Sequence, residues 1–514
     1  MLRERVVYSC LATMLLAGWL AGPTWAQPVP VPSRVDPYTL DSGPRDNPTD
    51  APAVVFDGVV AGSFDTPWVR VLFSEARLPE GSYLRMTSLG DRDVQTLNGR
   101  QIVEWQYGSC FFNGWGVAVE LVAGPRTKGN SFRVSHVVVG VRTGGTTTAI
   151  CGVNDDRAPS NDARVGRLLI TATSRDPRVT SGCTGWIINI PTNDPEKCHL
   201  SAGHCFTAPA MTILQFDVPA SAANCFLNHP PATEQFAVRQ PTIFRDNGEG
   251  DDWAVFKCSR NPVTQRTTFQ EQGAAFTLAN MVPGMGTVRV TGFGVDGNEN
   301  AAGGGNAACS CNPDTNMTGT RNQTQQTHTG PLVAGVAGAI GHQVDTCGAN
   351  SGSPIILESS GEAIGIHTHG GCELARAHNG GTRIDDARLQ DGIRRCAAEC
   401  FLVGGVAPTA IPLGGADTLY VFFVSADTWW PVTMNDIPVF PIPNNPGLVG
   451  LSGYFQVLMY NPVDYPNDPL KSSNGLQATI GIGTQAYGRE EGMRLWAPAP
   501  PMPGQPFTVA FIVQ

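Results

Sequence analysis

The chain is poor in charge and in aromatic rings: 15% of its 514 residues are Asp, Glu, Lys or Arg and 8% are Phe, Trp or Tyr. No Lys/Arg-rich run interrupts it, and 34 Lys+Arg against 44 Asp+Glu leave a formal net charge of −10, so nucleic acid is not an expected partner. Only one apolar run is long, from Val6 to Gly22, and no later segment could span a bilayer, which argues against an integral membrane protein. What is abundant is Gly (59) and Pro (40), a composition that disfavours helical bundles and favours turn-rich β structure. A hydrophobic fraction of 41% excludes wholesale disorder, and the length asks for two to four domains.

Arg3 and Arg5 precede the apolar run, and Thr24-Trp25-Ala26-Gln27 follows it with residues small enough for cleavage after Ala26. Residues 1–26 are therefore expected to be a signal peptide, and the protein to be secreted, periplasmic or displayed on the cell surface. Export permits disulfides. Loss of Cys10 leaves an odd number of the 14 cysteines, so at least one thiol is free or pairs between chains. Cys309-Ser-Cys311 and Cys396-x3-Cys400 lack the second half of a zinc site, so disulfides are expected and no metal.

Residues 27–50, with six prolines from Pro28 to Pro48, read as an extended linker. Alternating apolar residues in 51–147, such as Val69, Val71 and Phe73 or Val117, Val119 and Leu121, predict a β-sandwich, either a permanent accessory module or a propeptide that occludes the cleft. A Thr/Gly-rich joint separates it from residues 150–402, where Gly292 to Gln326 reads as a surface insertion without an active-site role. Residues 406–514 carry strand-like Leu419–Phe423 and Phe507–Phe511 and predict a small β module.

Three stretches of the middle region bear chemistry. Leu200-Ser201-Ala202-Gly203-His204-Cys205 follows an apolar strand, Asp251-Asp252-Trp253-Ala254-Val255-Phe256 opens another, and Cys347-Gly348-Ala349-Asn350-Ser351-Gly352-Ser353-Pro354 leads into a third. A serine hydroxyl is protonated at neutral pH and needs a neighbouring imidazole to take its proton; His204 is the candidate base for Ser351. A carboxylate on the other ring nitrogen fixes the tautomer and stabilises the imidazolium; Asp252 is preferred because it enters the apolar strand, with Asp251 as a solvated neighbour. The Gly-rich turn lets the N–H groups of Ala349 and Ser351 face a developing oxyanion. Each stretch alone is a common loop, cap or core motif; their order carries the reading.

In these motifs residues 150–402 resemble the chymotrypsin-like serine proteases, and Asn350–Pro354 with Ile364–Gly371 most resemble their bacterial glutamyl-endopeptidase branch. The resemblance implies two packed β-barrels with the site between them, no cofactor, and protein or peptide substrates. It implies Cys183–Cys205 and Cys347–Cys372 bonds; Cys110–Cys151 is a further possible clasp. Two departures stand out: Ala349 replaces the usual oxyanion-hole Gly, and Asn350 replaces the Asp that pairs with a new N-terminus in vertebrate digestive relatives. Asp345, six before Ser351, lies where the family has the base of its specificity pocket and would favour a basic substrate side chain. Thr346 and His367 lie where glutamyl endopeptidases hold an acidic one, and the two preferences stay open, with His367 and His369 as plain wall residues a third reading. The flanking modules resemble a β-sandwich found ahead of protease domains and a C-terminal module common on exported bacterial proteins. The other function to weigh is an inactive protease fold kept as a binding or adhesion protein.

Overall fold

The computed structural model describes residues 28–397 apart from 142–147, 191–194, 298–308, 310–319, 373–376 and shorter gaps, and beyond them backbone strands between Glu399 and Val513. The signal-peptide segment, most of the Thr/Gly-rich joint and the Gly303–Gly305 part of the insertion lie outside the described residues. The chain is mainly β.

The N-terminal module is a sandwich of two four-stranded antiparallel sheets. One runs Ser33–Asp41, Ser131–Gly140, Trp68–Arg77, Phe112–Asn113; the other Ala53–Ala61, Gly116–Ala123, Tyr83–Ser88, Val94–Asn98. Residues 27–50 are thus not a linker: Ser33–Asp41 is a sheet strand that packs Val35, Tyr38 and Leu40 onto the module core, and the register shifts between Pro37 and Leu40, beside the proline. The Trp68–Arg77 strand departs from simple alternation, because Trp68 through Phe73 are all buried. Its second face is covered by the neighbouring domain, whose Leu169, Ala172, Met211 and Ile213 join the same apolar cluster. Arg70, fully buried in this joint, donates from Nε to Ser109 O (2.9 Å) and from Nη1 to Ala172 O (2.5 Å). Burial lowers its guanidinium to about 9. Gln235 exchanges hydrogen bonds with the Phe111 backbone, and Asn113 with that of His229.

The middle domain holds two barrel-like sheets. The first runs Gln235–Ala237, Met211–Gln215, Val165–Thr171, Ser181–Ile187, His199–Ser201, Asp252–Phe256, Ile243–Asp246, and a bridge between Val238 and Cys258 draws it together. In the second, Gln326–Ala334, Gly286–Gly292, Pro354–Leu357, Ala363–His369, Asn379–Arg383 and Ala339–His342 close on themselves through the Gln326–Ala334/Ala339–His342 pairing. A helix, Ala387–Ala397, returns to the first sheet, where its Gly392 meets Trp253 and Cys396 is bonded to Cys198.

The expected domain border near 402–406 falls inside a strand. Glu399–Gly405 pairs with Ser452–Tyr460 and Trp429–Val432, so the C-terminal β module begins at the end of the helix. Among the described residues no helix is long and apolar enough to cross a membrane.

Candidate active site

His204 follows the strand His199–Ser201, in a single turn of 3-10 helix, Gly203–Phe206. Gly203 is required there, since a Cβ would collide with the Arg245 carbonyl, and the Cys183–Cys205 bond ties the turn to the next strand. Asp252 opens the antiparallel neighbour, in which Ala254 faces Ser201. The imidazole and carboxylate therefore meet: His204 Nδ1 lies 2.6 Å from Asp252 Oδ2, and the His204 N–H donates to Oδ1 at 3.0 Å. Thr382 brackets Asp252 from the second barrel, accepting from its N–H (3.1 Å) and donating to its carbonyl (2.7 Å). Asp251 is not solvated. Side chains alternate along a strand, so it points the other way, into Arg245 (2.8 Å) and Arg388 (2.8 Å). Burial raises its pKa, but bonds from Arg245 and Asn247 and the Arg388 charge outweigh that and leave it below the ordinary range.

Ser351 sits in the turn before Pro354–Leu357. Gly352, at φ 93°, is enforced by closeness to Thr184 O, Ser201 Oγ and Ala202 N, which also places the serine turn against the His204 turn. Thr184 N donates to Ser351 O (2.8 Å), Trp186 Nε1 to Gly352 O (2.9 Å), and Gly352 N to His367 O (2.8 Å). The N–H groups of Ala349 and Ser351 donate no hydrogen bond among the described residues. Ala349 is buried at φ 73°, the left-handed region, and its carbonyl accepts from Thr184 Oγ1 at 3.0 Å. His204 Nε2 is buried without a partner, and Ser351 makes no hydrogen bond to it.

The disulfides correct two expectations. Cys183–Cys205 is present, but Cys347 is bonded to Cys309 and Cys372 to Cys151. Thr148 pairs with Cys347 across a two-residue ladder, which carries Cys151 past the serine turn to Cys372 and leaves Cys347 to the insertion. That insertion thus braces the serine turn. Cys110 is a buried free thiol in the sandwich, not a clasp, and among the described residues Cys258 is a further free thiol.

Asp345 is buried and engaged elsewhere than in an open pocket. Its Oδ1 accepts from Cys151 N (2.7 Å), its Oδ2 from Asp156 N (2.9 Å), and His328 Nδ1 accepts from its N–H (2.8 Å). Burial raises the Asp345 pKa, the two amides opposing it. Asp156, His328 and Asp345 hold ligand atoms within 4.8 Å of one another, but the Cys151 and Asp156 amides already hydrogen-bond to both Asp345 oxygens. Thr346 Oγ1 accepts from Asn379 Nδ2 (3.1 Å). His367 lies on the strand flanking Ser351, with Nδ1 3.1 Å from His342 Nε2. Burial holds both rings neutral, lowering His342 to about 3 and His367 well below its usual value. His369 Nδ1 is 2.7 Å from Thr368 Oγ1 and 4.0 Å from Asp252 Oδ2. Sequence reasoning missed Thr184, Thr382 and His342, which reach the site only through pairing between distant strands.

The family model described as Trypsin matches residues 169–389 of this chain. Similar solved structures include a thermostable serine protease AL20 from an extremophilic microorganism, at 13% identity over 46% of this chain and 97% of that one, TM-score 0.33. A Glu endopeptidase in complex with MPD shares 17% identity over 48% and 99%, TM-score 0.33. A scabies mite inactivated protease paralogue shares 11% over 47% and 95%, TM-score 0.30. No curated protein matches the chain.

Proposed function

We propose that the trypsin-like segment is an exported serine endopeptidase that cleaves after acidic side chains. The observation that carries the catalytic half is the unpartnered, buried Nε2 of His204 on a ring whose Nδ1 is held by Asp252. With Nδ1–H donated to the carboxylate, Nε2 carries the lone pair and accepts the Ser351 proton as Oγ attacks the carbonyl carbon. Resting enzymes often hold this serine–histidine contact long and tighten it with substrate. The tetrahedral oxyanion takes the N–H groups of Ala349 and Ser351, donors worth about 10²–10³ in rate. His204 then gives its proton to the leaving amine, and water, activated by the same nitrogen, releases the acyl group from Ser351.

The acidic preference rests on proton placement. Val344 N–H donates to His342 Nδ1 (3.3 Å), so the neutral His342 ring carries its hydrogen on Nε2 and donates it to His367 Nδ1. His367 then keeps its own hydrogen on Nε2, a donor suited to a substrate carboxylate. Asp345, with both oxygens on backbone amides, is poorly placed to attract Lys or Arg. The test is a fluorogenic peptide library varied at P1, run on the chain from Gln27 beside Ser351→Ala. Cleavage after Glu or Asp that disappears in the variant supports the proposal. Cleavage after Lys or Arg overturns the specificity, and no cleavage with intact folding favours a binding role.

A further inference from the structure

The residues that open the described chain do not simply lead into the sandwich. Val29–Pro30 forms a short antiparallel pair with the edge of the first barrel, Val29 facing Gly182 and Pro30 facing Ser181, and Val31 N donates to Thr180 O at 2.7 Å. The strand they join carries Cys183, bonded beside His204. Pro28 lines, with Arg178, Ser181, His204 and Thr207, a cavity of about 150 Å³. Val29, 3% exposed, belongs to a small apolar cluster with Cys225, Val295 and Ala349, the last of which carries an N–H that the proposed mechanism gives to the oxyanion. The segment therefore runs from the base and the oxyanion donors outward along Thr180–Gly182.

Resting on the endopeptidase reading, we propose that Pro28–Val31 is a built-in inhibitory strap that occupies the leaving-group side of the substrate cleft. A substrate extended beyond its scissile bond needs to lay its C-terminal side on the strand edge next to His204, and the strap already pairs there. Its chemistry suits an occupant that is not consumed. Pro30 has no N–H, and it falls at the pair between the hydrogen-bonded Val31 and Val29 positions, where none is needed. Prolines at 28, 30 and 32 put a ring nitrogen on the leaving side of every second bond, and they pre-extend the segment, lowering the entropy lost on docking. The sandwich holds the strap in place: Val31 is buried in the module core, and Ser33, two residues on, pairs with Gly140. The N-terminal module is in this view the mount of an inhibitor rather than a spacer.

The experiment compares the chain from Gln27 with one that starts at Val31. Three readouts are used: labelling by a serine-directed phosphonate, hydrolysis of a small P1-Glu ester, and cleavage of a peptide extended four residues past P1-Glu. The expected result is that both chains label and hydrolyse the ester, while the extended peptide is cleaved at least tenfold faster by the shorter chain. Residues 27–34 added as a synthetic peptide should restore inhibition of that chain competitively. Val29→Glu in the longer chain, which keeps the strap but expels it from the apolar cluster of Cys225, Val295 and Ala349, should also release cleavage. Equal cleavage of the extended peptide by all three chains, with the ester turned over, overturns the strap and leaves the endopeptidase standing. Failure of every chain to label or hydrolyse the ester overturns both.

Discussion

Asp252→Asn isolates the catalytic assignment from the fold. Both carboxylate oxygens accept from His204, Oδ2 from Nδ1 at 2.6 Å and Oδ1 from the backbone N–H at 3.0 Å. A primary amide offers one acceptor, so its NH₂ must face one of these donors. Keeping the backbone bond turns the NH₂ to Nδ1 and moves the ring hydrogen to Nε2, where it cannot accept the Ser351 proton. Lost ion pairing adds to this. With charge centres about 4 Å apart and an effective dielectric of about 20, the imidazolium forfeits about 4 kcal/mol, or about 10³ in rate. The wrong tautomer brings the expected loss in kcat to about 10⁴, with KM little changed. The assay is steady-state hydrolysis of the small P1-Glu ester, with circular dichroism to verify folding. Asp251→Asn is the matched control: its carboxylate serves Arg245 and Arg388, so kcat should stay within about threefold while stability falls by about 1–2 kcal/mol. A folded Asp252→Asn protein that loses less than tenfold, or a larger loss in Asp251→Asn, would refute the reasoning.

The Asp251 effect should also depend on pH. Its folded pKa is depressed, so its contribution is present above the ordinary Asp range and is lost as pH falls through the folded value; wild type and Asp251→Asn should converge in acid-denaturation curves. Glu234 behaves oppositely. Burial and the Asp217 charge raise it to about 7, so its folded form favours the proton, and Glu234→Gln should raise Tm at pH 8 but not at pH 5. Removing the Cys198–Cys396 bond as a double serine variant frees the Ala387–Ala397 helix from the first barrel and should cost about 2–4 kcal/mol in denaturant titration. Ala349→Gly relieves about 1–2 kcal/mol of left-handed strain. It gives back about 1 kcal/mol in chain entropy and about 0.8 kcal/mol in a buried methyl, so stability measured by urea unfolding should change by less than about 1 kcal/mol. His367→Phe removes the proposed donor and should lower kcat/KM for P1-Glu by about 10–100-fold while leaving the ester leaving-group dependence unchanged.

What could be read from the chain was local. The turns around His204, Asp252 and Ser351 are short, Gly-marked and adjacent to apolar runs, and strand alternation is enough to separate Asp252 from Asp251. The Trp68–Phe73 strand defeats that same rule, because Arg70 reads as a solvent-facing residue until Ala172 of the next domain supplies its acceptor. Of the two cysteine pairings that the resemblance implied, Cys183–Cys205 is present and Cys347–Cys372 is not, although both are short in sequence. The sequence separation of 221 between Cys151 and Cys372 is closed by a ladder at Thr148 that no local pattern announces.

Proline density misled for a physical reason that bears on how the modules work together. Proline fixes φ and deletes a donor, and both properties fit an edge strand as well as a solvated linker. Between Pro28 and Asp41 the chain uses that ambiguity twice, first as the strand against Ser181–Gly182 and then, after Pro32, as the strand against Ser131–Gly140. The two pairings are separated by so few residues that the first barrel and the sandwich cannot shift apart without breaking one of them. The apolar joint of Leu169, Met211 and Ile213 with the sandwich core resists such a shift, so docking of the module and seating of Val29 in its cluster with Cys225, Val295 and Ala349 are expected to be lost together. An activating cut would therefore act most economically within the few residues between the two strands, where it frees the strap from its mount and leaves the joint and the Asp252–His204–Ser351 region untouched.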